Sequence, residues 1–444
     1  MTRSRFVLLI PIFALFTSLS MLLAQSHPAS LNAADFRKAG SPTAGIQEAV
    51  DALPKEGGTV FIPAGTYEIA REIVLRSGVQ IRGEGEHTII ARRDPCFQAP
   101  LAAPAKKGEK KVAVKDLSGF KVGSEILVRS DSSYGWWSTH PVITSIEGNV
   151  LILDRELTHD YLLHKKSLAA NFFPAFYANE AKNIRIEDLV IDGRMERGEK
   201  RKDFENEFTV SAIHFRDVYD AYIARVHIKD YPGDGFSMQI GDNITVTECL
   251  AEYNLGHGFH PGTGITSGSW TNNVGRFNGW DGLYFCHRVR HTTVSGNRFH
   301  DNGWNGMGGL GEGGEGGDRY NVVSGNFCYN NAKCGIQCIN GGNNIVVNNV
   351  CENNSRGEPG RWPGILVEDT YLSIVSGNKC LDFQVSDSAK TQGYGILVTG
   401  TSRDNIISDN ILTGNLHEGI SGEALGKNRV EGNIYSKNHK PAGM

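Results

Sequence analysis

The C-terminal half of the chain is governed by one recurrence, a glycine followed by an apolar residue. It runs Gly235-Phe236, Gly258-Phe259, Gly282-Leu283, Gly306-Met307, Gly335-Ile336, Gly364-Ile365, Gly395-Ile396 and Gly419-Ile420, in steps of 23, 24, 24, 29, 29, 31 and 24. A unit of this length is too short for a propeller blade and lacks the leucine and helix pattern of horseshoe repeats. It reads as one turn of a coil with occasional loop insertions. Units that stack only on their neighbours build a solenoid, so the spacing predicts an all-β parallel β-helix with strands ~4.8 Å apart along its axis.

The strand after each glycine alternates. Phe236, Phe259, Leu283, Met307, Ile336, Ile365, Ile396 and Ile420 form one apolar column, and Met238, Pro261, Phe285, Gly309, Cys338, Val367 and Val398 a second, two residues on. Both are expected to point inward. Between them Ser237, His260, Tyr284, Gly308, Gln337, Leu366 and Leu397 should point outward, leaving His260 and Tyr284 exposed.

A second strand in each coil ends in asparagine, placing Asn273, Asn297, Asn326, Asn349, Asn378, Asn410 and Asn433 in one stack. An amide side chain donates to one neighbouring coil and accepts from the other, and asparagine tolerates the left-handed backbone of a tight turn. Two positions on, Phe299, Cys328, Cys351, Cys380 and Leu412 share a column, which makes these thiols small core residues. The eight cysteines are therefore expected to be free rather than a disulfide framework.

Elsewhere the chain sets boundaries on location and partners. Residues 1–24 carry Arg3 and Arg5 before an apolar run from Phe6 to Leu23 and end at a small Ala24, the pattern of an export signal. That implies a secreted or periplasmic protein with no membrane attachment after cleavage. A net charge of −4 with both signs interspersed offers no basic stripe for nucleic acid. Fifty-three glycines without proline richness indicate many turns. Residues 25–94 hold an amphipathic helix, Ala44 to Leu53, and the first coils. Residues 95–175 break the rhythm with short antiparallel strands and form an inserted β-subdomain, and the coils resume over 176–444. The charged stretch RMERGEKRKDFENE reads as a solvated loop.

The segment GGTVFIPAGTY, following that helix, resembles the opening of the pectate lyase superfamily, including its polygalacturonase-like and mannuronan-epimerase-like members. The resemblance implies a right-handed helix whose first coil is capped by the amphipathic helix, and a polysaccharide as partner. GFHPG resembles the GFDPH segment of mannuronan epimerases, with His260 in place of its Asp and Gly262 in place of its His. Gly256-His257-Gly258 is similar to the GHG motif of polygalacturonases, although the NTD and double aspartate of that family are missing.

Residues one repeat apart are neighbours in a solenoid, so a site can be read down columns. The column before the glycine is Asp234, His257, Asp281 and Asn305, and the outward column adds His260 and Tyr284. The same strand continues to His287, Arg288 and Arg290, and Trp280 and Trp304 occupy equivalent places. Singly, Asp or Asn before Gly is a turn former. Together these residues suit two chemistries. For proton abstraction beside a uronate carboxylate, His257 or His260 is the base, Tyr284 the acid, and Arg288 or Arg290 the neutralising cation. For inverting hydrolysis, Asp234 and Asp281 lie two coils, ~10 Å, apart, near the separation that mechanism needs. Trp280 and Trp304 offer faces to sugar rings. Glu312, Glu315 and Asp318 in a glycine-rich insertion make a flap or a calcium site. A non-catalytic surface β-helix, monomeric like the enzyme readings, is the third class.

Overall fold

The computed structural model describes residues 29–313 and 316–438. Residues 1–24, read from sequence as an export signal, and Glu315 lie outside the described residues. Among the described residues, thirty-two strands form one continuous parallel β-helix. Its longest strands, Phe176–Asp192 and Ile213–Lys229, turn corners without breaking because Glu180, Asn183, Asp188, Asp217, Asp220 and Arg225 take left-handed backbone angles.

The register follows the glycine repeat. Phe236 pairs with Phe259, Phe259 with Leu283, Leu283 with Met307, and Met307 with Ile336. All are buried in a single apolar core that runs the length of the helix. One place departs from the expected columns. A bulge at Gly308 and Gly309 pairs Leu310, not Gly309, with Cys338, and Leu310 takes the buried position. Gly309 sits at φ 73°, which a residue with a Cβ rarely adopts.

The asparagine stack is continuous. Asn297 accepts the Asn273 amide at 2.8 Å and donates to Asn326 at 2.9 Å, and the pattern repeats to Asn433. The left-handed residue is the one before each asparagine, namely Asn272, Gly296, Gly325, Asn348, Gly377, Asp409 and Gly432. A second stack, not anticipated, joins Asn254, Asn278, Asn302, Asn331 and Asn354, then passes through Gln392 to Asn415. All eight cysteines are unpaired, and Cys328, Cys351 and Cys380 lie stacked and buried.

Helix α1 spans Ile46–Ala52 and caps the core with Ile46, Ala49 and Val50. It begins two residues later than expected, since Ala44 and Gly45 are left-handed. Between residues 98 and 170, two three-stranded antiparallel sheets surround a separate core containing Val112, Leu151 and Tyr161. The charged stretch is not solvated throughout: Glu207 is buried, accepting the Gly135 amide at 2.9 Å. That anchor brings Phe208 and the Gly135–Trp137 turn over the outer face of the sheet. No helix among the described residues is long and apolar enough to cross a membrane.

Candidate active site

The column before the repeat glycine is a hydrogen-bonded ladder. Asp234 Oδ1 accepts the His257 amide at 2.8 Å, His257 Nδ1 accepts the Asp281 amide at 3.3 Å, Asp281 Oδ1 accepts the Asn305 amide at 2.8 Å, and Asn305 Oδ1 accepts the Cys334 amide at 3.0 Å. Each side chain thus holds the backbone of the next coil. Because His257 Nδ1 accepts, its proton sits on Nε2. Asp281 Oδ2, 3.2 Å from that same nitrogen, becomes its partner when the proton moves to Nδ1, which frees the Nε2 lone pair.

On this ladder three rings meet. His257 stacks on Tyr284 with centroids 4.4 Å apart, and His260 meets both edge-on at 5.3 Å. His260 Nδ1 lies 2.8 Å from Asp234 Oδ2, and its Nε2 faces the Gln239 amide at 3.4 Å. The Tyr284 hydroxyl donates to Glu312, and Glu312 reaches His287 at 3.6 Å.

Burial alone would strip the proton from His260, but the Asp234 carboxylate and the nearby Cys286 thiol reverse the effect and raise its pKa to about 10. The same pairing overcomes the burial of Asp234 and lowers its pKa. At neutral pH the two form an imidazolium–carboxylate pair. Burial, with Cys286 and Glu312 adding to it, pushes the Tyr284 phenol well up, so it stays protonated.

Of the residues read from sequence, Asp234, His257, His260, Tyr284, Asp281 and Asn305 come together. The expected exposure does not hold: His260 is 5% exposed and Tyr284 half-buried. His260 faces out of the sheet as its register requires, but Phe208 packs edge-on against it at 6.1 Å. His287 and Arg288 are exposed in a left-handed turn. Arg290 donates to the Gly316 carbonyl at 2.8 Å. Trp280 meets His257 edge-on at 5.0 Å, yet Trp280 and Trp304 stack on each other at 4.9 Å, and Lys333 lies over Trp304 at 4.2 Å. Each ring therefore has a face covered by protein.

In the glycine-rich loop Asp318 accepts the Val289 and Gly311 amides, and Glu312 accepts from the Tyr284 hydroxyl. Asp234, His257 and His260 do place one donor atom each within 4.8 Å of one another. That nitrogen-rich set suits a transition metal better than calcium. Sequence reading missed Phe208, Gln239 and His214. His214 was detectable, since its register partner is Ser237, which in turn pairs with His260.

Residues 38–223 match the rhamnogalacturonase A/epimerase, pectate lyase-like family. This chain has the right-handed parallel β-helix fold. Residues 276–444 of the β-helix also match the NosD family, described as a periplasmic copper-binding protein. Among solved structures, the chain is similar to a mannuronan C-5 epimerase A-module of Azotobacter vinelandii, with 18% identity, TM-score 0.61, and coverage of 94% of this chain and 98% of that one. A second such A-module gives 17%, 0.56, 91% and 99%. A hyperthermoactive exopolygalacturonase from Thermotoga maritima gives 16%, 0.52, 92% and 93%. No curated protein sequence matches the chain.

Proposed function

We propose that the protein is an exported enzyme that acts on an acidic polysaccharide by abstracting the proton beside a uronate carboxylate, as a lyase or an epimerase does. The observation that carries this reading is the contact triangle of His257, His260 and Tyr284 above the buried Asp234 carboxylate. Such a reaction needs a base for the proton, positive charge for the enolate-like intermediate, and an acid for the departing or returning side. His260, already an imidazolium, supplies the charge and is excluded as the resting base. His257 offers Nε2 as the base in the tautomer whose proton lies on Nδ1, held there by Asp281 Oδ2 at 3.2 Å. Tyr284 is the acid, and Glu312, which accepts from its hydroxyl, holds the phenol in place.

Inverting hydrolysis is less well supported. It needs one carboxyl group free to protonate the leaving oxygen and one to activate water. Asp234 has both oxygens engaged, by His257 and His260, and Asp281 is 1% exposed and bonded to Asn305. A polysaccharide substrate is further supported by the shared fold of the mannuronan epimerase and exopolygalacturonase structures, and export by the basic and apolar segment at residues 1–24.

Incubation with a panel of uronate-containing and neutral polysaccharides tests the reading. Ultraviolet absorbance of an unsaturated uronate identifies a lyase, and solvent deuterium incorporated without chain cleavage identifies an epimerase. New reducing ends with neither signal would establish hydrolysis and overturn it.

A further inference from the structure

Two coils before His260, on the same outward column, the inserted subdomain and the parallel sheet enclose a pocket of about 240 Å³. Trp136, Ser138, Thr139 and His140 form one wall, and Tyr177, His214 and Arg216 the other. The volume lies just below the ~300–1,000 Å³ of pockets for drug-sized ligands, a size that suits a single ring. We propose that this pocket is a second subsite, separate from the His257–His260–Tyr284 cluster, that takes one carboxylate-bearing sugar ring.

Three observations carry the assignment. The first is an unfilled valence: His214 is 3% exposed, and its Nδ1 is buried with no hydrogen-bond partner. A buried imidazole nitrogen without a partner is costly, and a bound hydroxyl satisfies it. The ring itself is fixed, stacked on Tyr177 at 5.9 Å and flanked by Phe208 at 6.0 Å, so the nitrogen is held ready.

The second is shape with chemistry. Trp136 and Tyr177 supply aromatic surface for the apolar face of a sugar. Ser138, whose hydroxyl donates to the Gly135 carbonyl at 2.7 Å, and Thr209 lie between them as polar contacts.

The third is charge. The Arg216 guanidinium lies over the Trp136 ring at 4.6 Å, and Arg155 stands on the opposite rim. Asp154 pairs with Arg155 at 3.2 Å, which leaves Arg216 as the cation the pocket offers, and the buried acids nearby do not offset it. Burial raises Glu72 to about 7 and Glu125 well above its ordinary value, so below neutral pH both hold protons. Burial lowers His140 to about 4 and His214 to about 3, which keeps both neutral. A pocket whose charge comes from Arg216 selects an anion, and its aromatic walls select a ring.

The proposed polysaccharide chemistry enters only in the choice of sugar, so the test uses monosaccharides that cannot be cleaved. Sodium glucuronate, galacturonate and mannuronate, the matching neutral hexoses, and sodium acetate are titrated into the full chain and into Arg216→Gln and His214→Phe variants at pH 6, with binding read by calorimetry and saturation-transfer NMR. At least one uronate is expected to bind about tenfold or more tighter than its neutral hexose and than acetate, because charge-assisted hydrogen bonds are the stronger class. Arg216→Gln, an exposed and foldable change, should erase that preference, and His214→Phe should weaken uronate and hexose alike.

Equal affinity for uronate and hexose would overturn the acidic selectivity, and acetate binding as tightly as uronate would overturn the sugar. Uronate binding unaffected by both variants, or no binding at all, would overturn the pocket. Arg216-dependent binding in a protein that converts no uronate polymer would leave the pocket standing and remove the proposed reaction. Turnover without such binding would do the reverse.

Discussion

Two ladders climb this helix, and they differ in what they leave over. In the Asn297–Asn326–Asn349–Asn378 stack every rung is the same amide, and each oxygen accepts from the previous coil while each nitrogen donates onward. Nothing is unspent. The Asp234–His257–Asp281–Asn305 ladder runs the opposite way, each side chain accepting from the coil that follows. Its first three rungs have no amide donor to pass on, so Asp234 keeps a spare oxygen for His260 and His257 keeps Nε2. A homogeneous ladder closes on itself and is architecture. A mixed one offers free valences at fixed positions, which is the raw material of a site.

The largest effect expected from that difference is on the pair the mixed ladder creates. His260→Ala leaves the fully buried Asp234 uncompensated, and breaking a buried pair in this way costs ~3–5 kcal/mol. The variant should therefore lose both turnover and thermal stability, whereas exposure of His260 would have predicted loss of turnover only. The pair also titrates. A histidine raised from its ordinary ~6.5 to about 10 stabilises the fold fully below pH ~6.5, and that stabilisation is lost as pH rises through 10. Melting temperature measured across this range should fall for the native chain, and His260→Gln should remove that part of the slope. An unchanged slope would show that His260 is not held as an imidazolium.

Asn349→Ala is the matching cut in the closed ladder. It removes the acceptor of the Asn326 backbone amide and of one Asn326 side-chain N–H, the other staying on the Val294 carbonyl, and takes a donor from the Val323 carbonyl, at about 1 kcal/mol or more for each buried group. Denaturant unfolding should show a loss of about 3 kcal/mol, with turnover per folded molecule unchanged. Tyr284→Phe reverses this pattern. It should reduce turnover about a hundredfold, worth about 2.7 kcal/mol in the barrier, with little change in stability. A Tyr284 variant with full activity on a substrate the native chain converts would return this ladder to architecture as well.

The contrast also explains what could be read before the structure was known. A solenoid maps sequence period directly onto space, so the inward columns, the first asparagine stack, the buried thiols and the cluster of Asp234, His257, His260 and Tyr284 follow from counting residues between glycines. The second stack was equally legible, since Asn254, Asn278, Asn302 and Asn331 each precede a repeat glycine by four positions. What the period does not encode is cover. Phe208 and Trp136 reach the sheet through a buried glutamate and an inserted subdomain far away in sequence, and they determine that His260 is shielded and that His214 lines a pocket. The bulge at Gly308–Gly309 is likewise invisible to a count, because the step of 29 from Gly306 to Gly335 also holds the glycine-rich loop and does not show where in the coil the extra residue falls.

The smallest effect expected concerns Glu312, the point where a loop touches the mixed ladder. Its carboxylate accepts the Tyr284 hydroxyl and stands 3.6 Å from His287, so it fixes the phenol without being part of either ladder. Glu312→Gln preserves size and one acceptor oxygen but removes the charge that helps hold the proton on Tyr284. Turnover should fall only about tenfold, because a charge-assisted hydrogen bond is replaced by a neutral one rather than lost. The alkaline limb of the pH–rate profile should also move to lower pH, since the phenol ionises more easily beside a neutral amide than beside a carboxylate. His287→Ala, which leaves Glu312 on Tyr284, should change neither quantity by more than a few-fold. A Glu312→Gln profile that superimposes on that of the native chain would show that Tyr284 does not carry the titrating proton, and would leave His257 as the ladder's one chemically active rung.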